Sequence, residues 1–236
     1  MADRGEDRAF ERLRASTIDF PWITATEHSL EALLRGAEVI ALKKGDILYD
    51  SDYDGRDIFV VRDGRILNYF VTSRGHEKTV GVFTAGSLLG ELRALDPSTG
   101  FYTSQVSSER ASLYRIPCER FLRAVGEDAD VRMAVYESLA AKVRLLSRQI
   151  EYSVCTTAAT KIAYLLLSAC KYYGEKTDGG YRISLHFTHS EIARLCGISR
   201  VSASNNLQEL RARGAIAQEE GRFVLCDLDY LLDLVE

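Results

Sequence analysis

The stretch from 188 to 213 constrains the fold more than any other, because it predicts two helices joined by a tight turn. Thr188 and Glu191 have the capping-box spacing, which satisfies free N–H groups at the start of a helix. Gly197 can turn without a Cβ clash, and Ser199 can cap the second helix. That helix carries one apolar stripe, formed by Ala203, Leu207 and Leu210. The pattern is typical of a helix-turn-helix.

The outward face of these helices predicts contact with double-stranded DNA. In a helix-turn-helix, the first turns of the second helix enter the major groove and meet base edges. The residues expected at the DNA are Thr188, His189, Ser199, Arg200, Val201, Ser202, Ser204 and Asn205. Two amphipathic helices in an ordinary core would give a similar signal, so the neighbouring sequence has to separate the two interpretations.

The sequence around the two helices favours the DNA-binding interpretation. Apolar runs at 214–217 and 222–225 enclose a polar turn at 218–221, which predicts a β-hairpin. Another strand is predicted at 181–187, just before the first helix. A strand, two helices and a hairpin together predict a compact winged helix.

The charge of the chain limits how it can bind nucleic acid. The formal net charge is -4, which argues against a protein that coats DNA without specificity. From 182 to 213, five arginines face two glutamates, a local charge of +3. We therefore expect a few placed phosphate contacts, two copies of the domain on each site, and an affinity that falls as salt rises.

Length and composition indicate a soluble globular protein. A chain of 236 residues with 46% hydrophobic residues suits two ordinary domains. The longest apolar run, at 162–167, is far too short to span a membrane, and no signal peptide is evident, so no membrane partner is expected. The five cysteines are scattered and odd in number, which favours a reducing cytoplasm. They are Cys118, Cys155, Cys170, Cys196 and Cys226.

The N-terminal half has a different pattern. Residues 1–16 are charged and weakly patterned, and we expect a loose arm or a short helix there. Between 39 and 117, short apolar runs alternate with glycine-containing turns. Regular short strands of this kind predict a small β-barrel or jelly roll.

One long helix is predicted from about 128 to 152, after acidic residues that complement its dipole. Its apolar stripe recurs at spacings of three and four, which favours a parallel seam with a second copy of the chain. Packing against its own barrel is the alternative. The predicted dimer-interface residues are Val131, Val135, Leu139, Val143, Leu146 and Ile150.

The whole arrangement resembles the CRP/FNR superfamily of bacterial transcription regulators. The resemblance rests on the glycine-punctuated barrel ending at 86–92, which reads Gly-Ser-Leu-Leu-Gly-Glu-Leu, followed by the long helix and the motifs at 188–193 and 197–202. It implies an α+β protein with a cyclic-nucleotide-binding-like sensor domain at 1–125, a dimerisation helix at 126–155 and a winged helix-turn-helix domain at 156–236. It also implies an effector-controlled homodimer, usually an activator that contacts RNA polymerase.

The sensor departs from the nucleotide-binding members of that family. In those members a glutamate at the position of Glu91 accepts a hydrogen bond from the ribose, and an arginine further along holds the cyclic phosphate. The corresponding stretch here, 100–105, contains no arginine. Because a buried phosphate needs a cation, cyclic AMP is the disfavoured effector.

Other effectors of the family are also poorly supported. Iron–sulfur members carry cysteines near the N-terminus, and this chain has none before Cys118. His76, a conceivable haem ligand, falls at a predicted hairpin tip, where a solvated histidine is expected. No cofactor or metal is predicted. Control by thiol oxidation stays open, through Cys118, Cys155 or Cys170.

A pocket for an organic anion is predicted beside the long helix. Lys142 can pair with a carboxylate or phenolate through a charge-assisted hydrogen bond, or it can reach solvent or set the register of the seam. The residues expected to complete the pocket are Gly90, Glu91, Tyr69, Tyr102 and Thr103. The stretch 142–150 is also similar to the branch of the superfamily that senses halogenated phenolic acids. We therefore expect an aromatic organic anion as the effector.

The recognition helix predicts an A·T-rich palindrome. Family members commonly have glutamate where Val201 stands and arginine where Asn205 stands. A valine offers methyl contact to thymine, and an asparagine can pair with adenine through two hydrogen bonds. The switch between states is expected near 152–157, at the junction of the domains.

Two other classes of protein are alternatives to a regulator. An enzyme is not expected, because no Ser-His-Asp order, metal-ligand cluster or P-loop is present and the four histidines lie apart in the sequence. An interaction module that has lost DNA binding is the remaining alternative. It is supported only by Asn205 and by the acidic turn at Glu219 and Glu220.

Overall fold

The computed structural model describes residues 2–50, 52–53, 56–71, 77–98 and 102–235. The described chain forms two compact units, one of residues 22–147 and the other of the segment up to residue 21 together with residues 148–236. His76 and residues 100–101 of the stretch compared with the phosphate site lie outside the described residues.

The sensor unit, residues 22–147, consists of two β-sheets and several helices, in agreement with the predicted barrel or jelly roll. Its strands are β1 (Trp22–Ile23), β2 (Glu38–Lys43), β3 (Ile47–Tyr49), β4 (Ile58–Asp63), β5 (Ile66–Val71), β6 (Glu77–Phe83), β7 (Leu88–Leu89), β8 (Thr103–Val106) and β9 (Arg110–Ile116). One sheet has the order β1-β6-β5-β8-β3 and the other β2-β9-β4-β7. All these neighbours are antiparallel except β1 and β6.

Four helices of the sensor unit lie between these strands or follow them. They are α2 (Glu31–Leu34), α3 (Glu91–Leu95), α4 (Cys118–Glu127) and α5 (Ala129–Cys155). Asp128 separates α4 from α5, and its side chain accepts hydrogen bonds from the N–H groups of Asp130 and Val131 at 2.9 and 3.1 Å. This cap starts the long helix at the acidic segment, as predicted.

The core of the sensor joins these helices to the sheet that contains β4 and β7. Phe121 of α4 and Ile58, Leu88 and Ile116 of the strands are fully buried in it. The first turns of α5 belong to the same core, through Val131, Ala134 and Val135. Roughly the first third of the long helix is therefore an internal element of the sensor.

Within the described chain, the DNA-binding unit contains the last residues of α5, four strands and five further helices. The strands and further helices are α1 (Ala2–Ala15), α6 (Ala158–Tyr173), β10 (Gly174–Thr177), β11 (Gly180–Ile183), α7 (His189–Cys196), α8 (Arg200–Ala212), β12 (Ile216–Glu219), β13 (Arg222–Leu225) and α9 (Leu228–Asp233). The strands form one antiparallel sheet of order β10-β11-β13-β12. The predicted wing is present as β12 and β13, whereas β10 and α9 were not predicted.

The N-terminal arm is a docked helix and not a loose segment. In α1, Leu13 is fully buried and Phe10 stacks on Tyr181 of β11 with ring centroids 4.2 Å apart. Arg12 pairs with Asp229 and Asp233 of α9, at 3.6 and 3.0 Å. The sequence assigned residues 1–21 to the sensor, but these contacts join the arm to the DNA-binding unit. The sequence did not predict this docking, because the segment is mostly charged and its apolar face is narrow.

The docked arm predicts that Leu13→Ala destabilises the DNA-binding unit. Removing a fully buried leucine costs about 2–5 kcal/mol, because a cavity remains. We expect faster amide hydrogen exchange in α6 and α9 and unchanged exchange in the sensor strands. Leu95→Ala is the matched control, since Leu95 is 47% exposed in α3. Equal exchange in L13A and the wild-type protein would mean that α1 does not support this unit.

Candidate DNA-reading helix and effector pocket

The helix-turn-helix has the predicted caps. The Glu191 N–H donates to Thr188 Oγ1 at 3.2 Å, and the Thr188 N–H donates to Glu191 Oε2 at 2.7 Å, which completes the capping box. Gly197 ends α7 with φ 64° and ψ 41°, a left-handed conformation that suits glycine. The Ser202 N–H donates to Ser199 Oγ at 3.0 Å and caps α8.

The two faces of α8 are separated as the sequence indicated. Ala203, Leu207 and Leu210 are buried, and Val201 is 69% exposed near the start of the helix. The other exposed residues of the predicted DNA-reading set are Thr188, Ser199, Arg200 and Asn205, whereas His189, Ser202 and Ser204 are half-buried. Gln208, one turn beyond Asn205, is also exposed and was not predicted, although its spacing from Val201 and Asn205 gave the signal.

Several arginines of this basic stretch have partners inside the unit. Arg182 pairs with Glu175 at 3.1 Å. Arg211 donates to Gln218 in the wing and lies 5.7 Å from the centroid of the Phe223 ring, and Arg213 lies 5.5 Å from the ring centroid of Tyr230. The local charge of +3 is therefore partly engaged in holding α8, the wing and α9 together.

A pocket of the sensor lies between the sheet, α3 and α5. It encloses about 610 Å³ free of protein atoms, its open mouth included. Its lining is mostly apolar and aromatic, with a few polar and charged side chains. The lining residues are Tyr49, Asn68, Val80, Phe83, Gly90, Glu91, Leu92, Arg93, Tyr102, Lys142, Leu145 and Leu146.

Four of the six predicted pocket residues line this pocket, namely Gly90, Glu91, Tyr102 and Lys142. Tyr69 and Thr103 do not, and this part of the prediction is corrected. The two residues pair with each other across β5 and β8, next to the pair of Asn68 and Ser104. Because side chains alternate between the faces of a sheet, the inward position in β5 belongs to Asn68, which is buried.

The tyrosines of the pocket stay uncharged at neutral pH. Burial raises the pKa of Tyr49 to about 12 and also raises the pKa of Tyr102. Ser104 donates to Asn68 Oδ1 at 2.6 Å beside Tyr49. The pocket thus combines neutral hydrogen-bonding groups with an apolar wall, and its charge comes from three other side chains.

Glu91 is held at the base of the pocket by a tight turn. Gly90 has φ 89°, and a Cβ there would lie 2.6 Å from the carbonyl oxygen of Asp57. Glu91 is fully buried, and its Oε1 accepts hydrogen bonds from Ser138 at 2.8 Å and from Lys142. Its Oε2 has no hydrogen-bond partner among the described residues.

Lys142 contacts the protein itself and not only the pocket. Its Nζ donates to Glu91 and to the carbonyl oxygen of Leu88 at 3.1 Å, and it lies 5.3 Å from the ring centroid of Phe83. Ser138 and Lys142 are four residues apart on α5, so both reach Glu91 from one side of the helix. The sequence expected Lys142 to pair with a bound anion, whereas in the structure it pairs with Glu91.

The charge of the pocket is completed by Arg93, which was not predicted. Its Nη1 donates to the carbonyl oxygen of Asp50 at 3.4 Å, and its guanidinium lies 5.6 Å from the centroid of the Tyr53 ring. With one carboxylate and two cations, the charged residues of the described lining carry a net charge of +1. The sequence placed Arg93 two residues after Glu91, but only the packing of α3 brings it to the pocket.

The buried pair predicts strong coupling between Glu91 and Lys142. Lys142→Met leaves a buried carboxylate without its cation and lowers the free energy of unfolding by about 3–5 kcal/mol. Adding Glu91→Gln restores most of this loss, and the two effects are not additive in chemical denaturation. The exposed pair of Lys44 and Glu109, 3.1 Å apart, is the control. Additive effects at Glu91 and Lys142 would contradict the internal pair.

The predicted dimer stripe winds around α5. Val131 and Val135 are 0% and 1% exposed in the sensor core, so these two residues have the packing role that the sequence left as the alternative. Leu139 is half-buried, and Val143 and Ile150 are exposed, as is Leu146, which also lines the pocket. A step of four residues advances the side chain by about 40° beyond a full turn, so repeated steps of four rotate the stripe from the core to solvent.

The exposed side of α5 has a different row of residues. Successive members of this row are separated by three and four residues in alternation, as in a coiled-coil seam. They are Met133, Tyr136, Ala140, Val143, Ser147 and Ile150. Met133, Tyr136, Ala140 and Ser147 were not predicted, because the large aliphatic side chains of the sequence follow a different stripe.

The described cysteines differ in burial. Cys170 is buried, and burial raises the pKa of its thiol to about 12, so it is not a thiolate at neutral pH. Cys118 and Cys226 are free and half-buried.

No group of three or more metal-binding side chains occurs in the described part of the chain. Among the same residues, no helix is long and apolar enough to span a membrane.

Comparisons with known families match both units. Residues 39–128 match the cyclic nucleotide-binding domain, and residues 160–234 match the Crp-like helix-turn-helix domain. The chain is 26% identical to the lactate racemization regulatory protein of Lactiplantibacillus plantarum over 180 residues, 75% of this chain and 81% of that protein. It is 20% identical to a CRP-like cAMP-activated global transcriptional regulator of Mycobacterium tuberculosis, over 86% of this chain and 90% of the relative.

Solved structures of the same type have the same fold. A CooA mutant from Carboxydothermus hydrogenoformans has a TM-score of 0.75 and 21% identity, and the match covers 91% of this chain and all of the other. OCPA-complexed CprK has a TM-score of 0.70 and 15% identity, over 91% of this chain and all of that one. These structures show the fold. With a cyclic nucleotide-binding domain followed by a Crp-like helix-turn-helix domain, the chain has the domain arrangement of CRP/FNR-type regulators. It is a DNA-binding transcription regulator with an effector-binding domain, and not an enzyme.

Proposed function

We propose that this regulator is a homodimer that binds a palindromic, A·T-rich operator when a small organic anion with an apolar or aromatic body occupies the sensor pocket. The observation that carries the proposal is the double role of α5. Lys142, Leu145 and Leu146 form a wall of the pocket, while Val143, in the same turn, belongs to the exposed row. An effector that favours one packing of this wall favours one arrangement of the seam.

The exposed row of α5 supports a parallel seam between two copies. Spacings of three and four keep Met133, Tyr136, Ala140, Val143, Ser147 and Ile150 on one side of the helix. Val143 and Ile150, two large apolar members of this row, are 63% and 66% exposed, and exposed apolar side chains grouped on one surface mark an interaction site. Two copies carry two recognition helices, and a palindromic operator offers one half-site to each of them.

A charge in the middle of this row is expected to separate the dimer. Val143→Lys places two ammonium groups in the seam, and we expect the dissociation constant of the dimer to rise by about 100-fold, measured by analytical ultracentrifugation. Val39→Lys is the matched control, since Val39 is a 44% exposed valine on β2. A V143K variant that remains fully dimeric would contradict the seam.

The operator preference follows from the exposed start of α8. Val201 offers methyl groups to thymine, and Asn205 has an exposed amide that can pair with adenine through two hydrogen bonds. Asn206, the next residue, donates from Nδ2 to the carbonyl oxygen of Ser202 at 2.8 Å and is not available in the same way. Several arginines are engaged within the unit. We therefore expect base contacts and the pairing of two copies to supply most of the specificity.

Selection of operators from a random library tests this function. We expect palindromic half-sites with A·T opposite Asn205, an affinity that falls as salt rises, and tighter binding when an aromatic acid is added. Asn205→Arg shifts the preference at that position to G·C, and Asn206→Ala leaves it unchanged. Selected half-sites that require G·C opposite the wild-type Asn205 would overturn the operator assignment. Absence of salt-dependent binding would favour an interaction module.

A cyclic nucleotide is a second candidate effector, favoured by one observation. The sequence disfavoured it because the stretch 100–105 has no arginine, but Arg93 brings a cation to the pocket from α3. Thiol oxidation is a weaker alternative, because the buried Cys170 has a raised pKa. Activation of transcription through contact with RNA polymerase is part of the proposal, and transcription from a selected operator in vitro measures it.

A further inference from the structure

The pocket contains two cations of different character, and this difference bears on how an acid would bind. Lys142 is largely buried, and its Nζ has two hydrogen bonds to the protein, including one to the Glu91 carboxylate. Its positive charge is therefore matched inside the protein before any ligand arrives. Separating this pair would leave a carboxylate buried without a cation, which is strongly unfavourable.

An acid group that approached Lys142 would also meet a like charge. Oε2 of Glu91 lies buried in the lining without a hydrogen-bond partner among the described residues. Two carboxylates at one site repel each other. This carboxylate oxygen suits an O–H or N–H donor of a ligand, and it disfavours an anion at the same place.

Arg93 is in the opposite situation. It is half-buried in the lining, and within the described chain it has no carboxylate partner, only the carbonyl oxygen of Asp50 at 3.4 Å and the Tyr53 ring. Its guanidinium fork matches a carboxylate or a phosphate through two parallel hydrogen bonds. The net charge of +1 on the lining fits a ligand with a single negative charge.

The remaining lining describes the body of such a ligand. Val80, Phe83, Leu145 and Leu146 supply apolar surface, and Tyr102 adds an aromatic ring. Leu145 is 4% exposed and faces inward from α5. A flat apolar or aromatic body placed against these side chains would touch α5 while its acid group stays at α3.

We propose that Arg93 binds the acid group of a monoanionic effector, and that Lys142 remains the internal counter-ion of Glu91. This inference rests on the proposed effector function of the pocket. The shared chemistry is a single negative charge on an apolar or aromatic body, as in an aryl carboxylate or a cyclic nucleotide. Arg93 is then the residue that selects the acid over its neutral analogue.

The test compares acids with neutral analogues by isothermal titration calorimetry on the full-length protein. The probes are benzoate, phenylacetate and 3-phenylpropionate with their amides, and cyclic AMP with adenosine. The variants are Arg93→Gln, Arg93→Lys and the double variant Glu91→Gln/Lys142→Gln. Arg110→Gln is the matched control, because Arg110 is an exposed arginine of β9 outside the lining.

We expect at least one acid to bind the wild-type protein roughly tenfold or more tightly than its neutral analogue, as for one charge-assisted contact. R93Q abolishes this preference, R93K keeps part of it, and the double variant and R110Q keep it within about threefold. The compound class that binds distinguishes an aryl acid from a cyclic nucleotide. Because the readout is a ratio for one protein, a general loss of stability does not imitate it.

Each other outcome has a defined meaning. A preference for the acid that survives in R93Q and disappears in the double variant would overturn the role of Arg93 and return the anion to Lys142, with the proposed function intact. Equal binding of acids and neutral analogues to the wild-type protein would overturn anion recognition at this pocket. Absence of binding by every probe would overturn the proposed effector class and this inference together.

Discussion

The packing of the sensor depends on the partners of the buried Glu91 carboxylate, because a charge in an apolar interior is stable only when it is paired. Ser138 and Lys142, one turn apart on α5, supply those partners, and Gly90 permits the tight approach to the strands. The long helix cannot rotate or slide against the sensor without leaving Glu91 unpaired. The same helix turns its other side to solvent, so one rigid element connects the pocket wall with the exposed row.

The parts of the fold set by local chemistry could be predicted from the sequence. The caps at Thr188 and Ser199 and the turn at Gly197 depend on neighbouring residues, and the structure has them as expected. The pocket was predicted in part, because the Gly-Glu-Leu motif and Lys142 lie in recognisable places. Tyr69 and Thr103 were one position away from the inward face, since strand register and the irregularity between Asn68 and Tyr69 are set by pairing and not by composition. Arg93 reaches the pocket only through the packing of α3.

The long helix shows why periodicity has to be followed over its whole length. Val131 and Val143 belong to one apparent stripe in the sequence, yet one is buried in the core and the other is exposed. Repeated steps of four drift around an α-helix, whereas alternating steps of three and four stay on one side. In the DNA-binding unit the number of arginines likewise overstated the charge available for DNA. Arg182, Arg211 and Arg213 have partners within the unit. What remains for DNA is a short, mostly uncharged face.

The docking of α1 on the DNA-binding unit has a consequence for how the chain is made. Its buried face, with Phe10 and Leu13, packs on elements that lie more than 140 residues later in the sequence. The ribosome synthesises the arm before those elements. Its apolar side chains therefore have no packing partner until α6 and α9 have emerged. The DNA-binding unit cannot be completed before α9 has been made. A product that stops short of α9 therefore lacks a finished DNA-binding unit even where its recognition helix is intact.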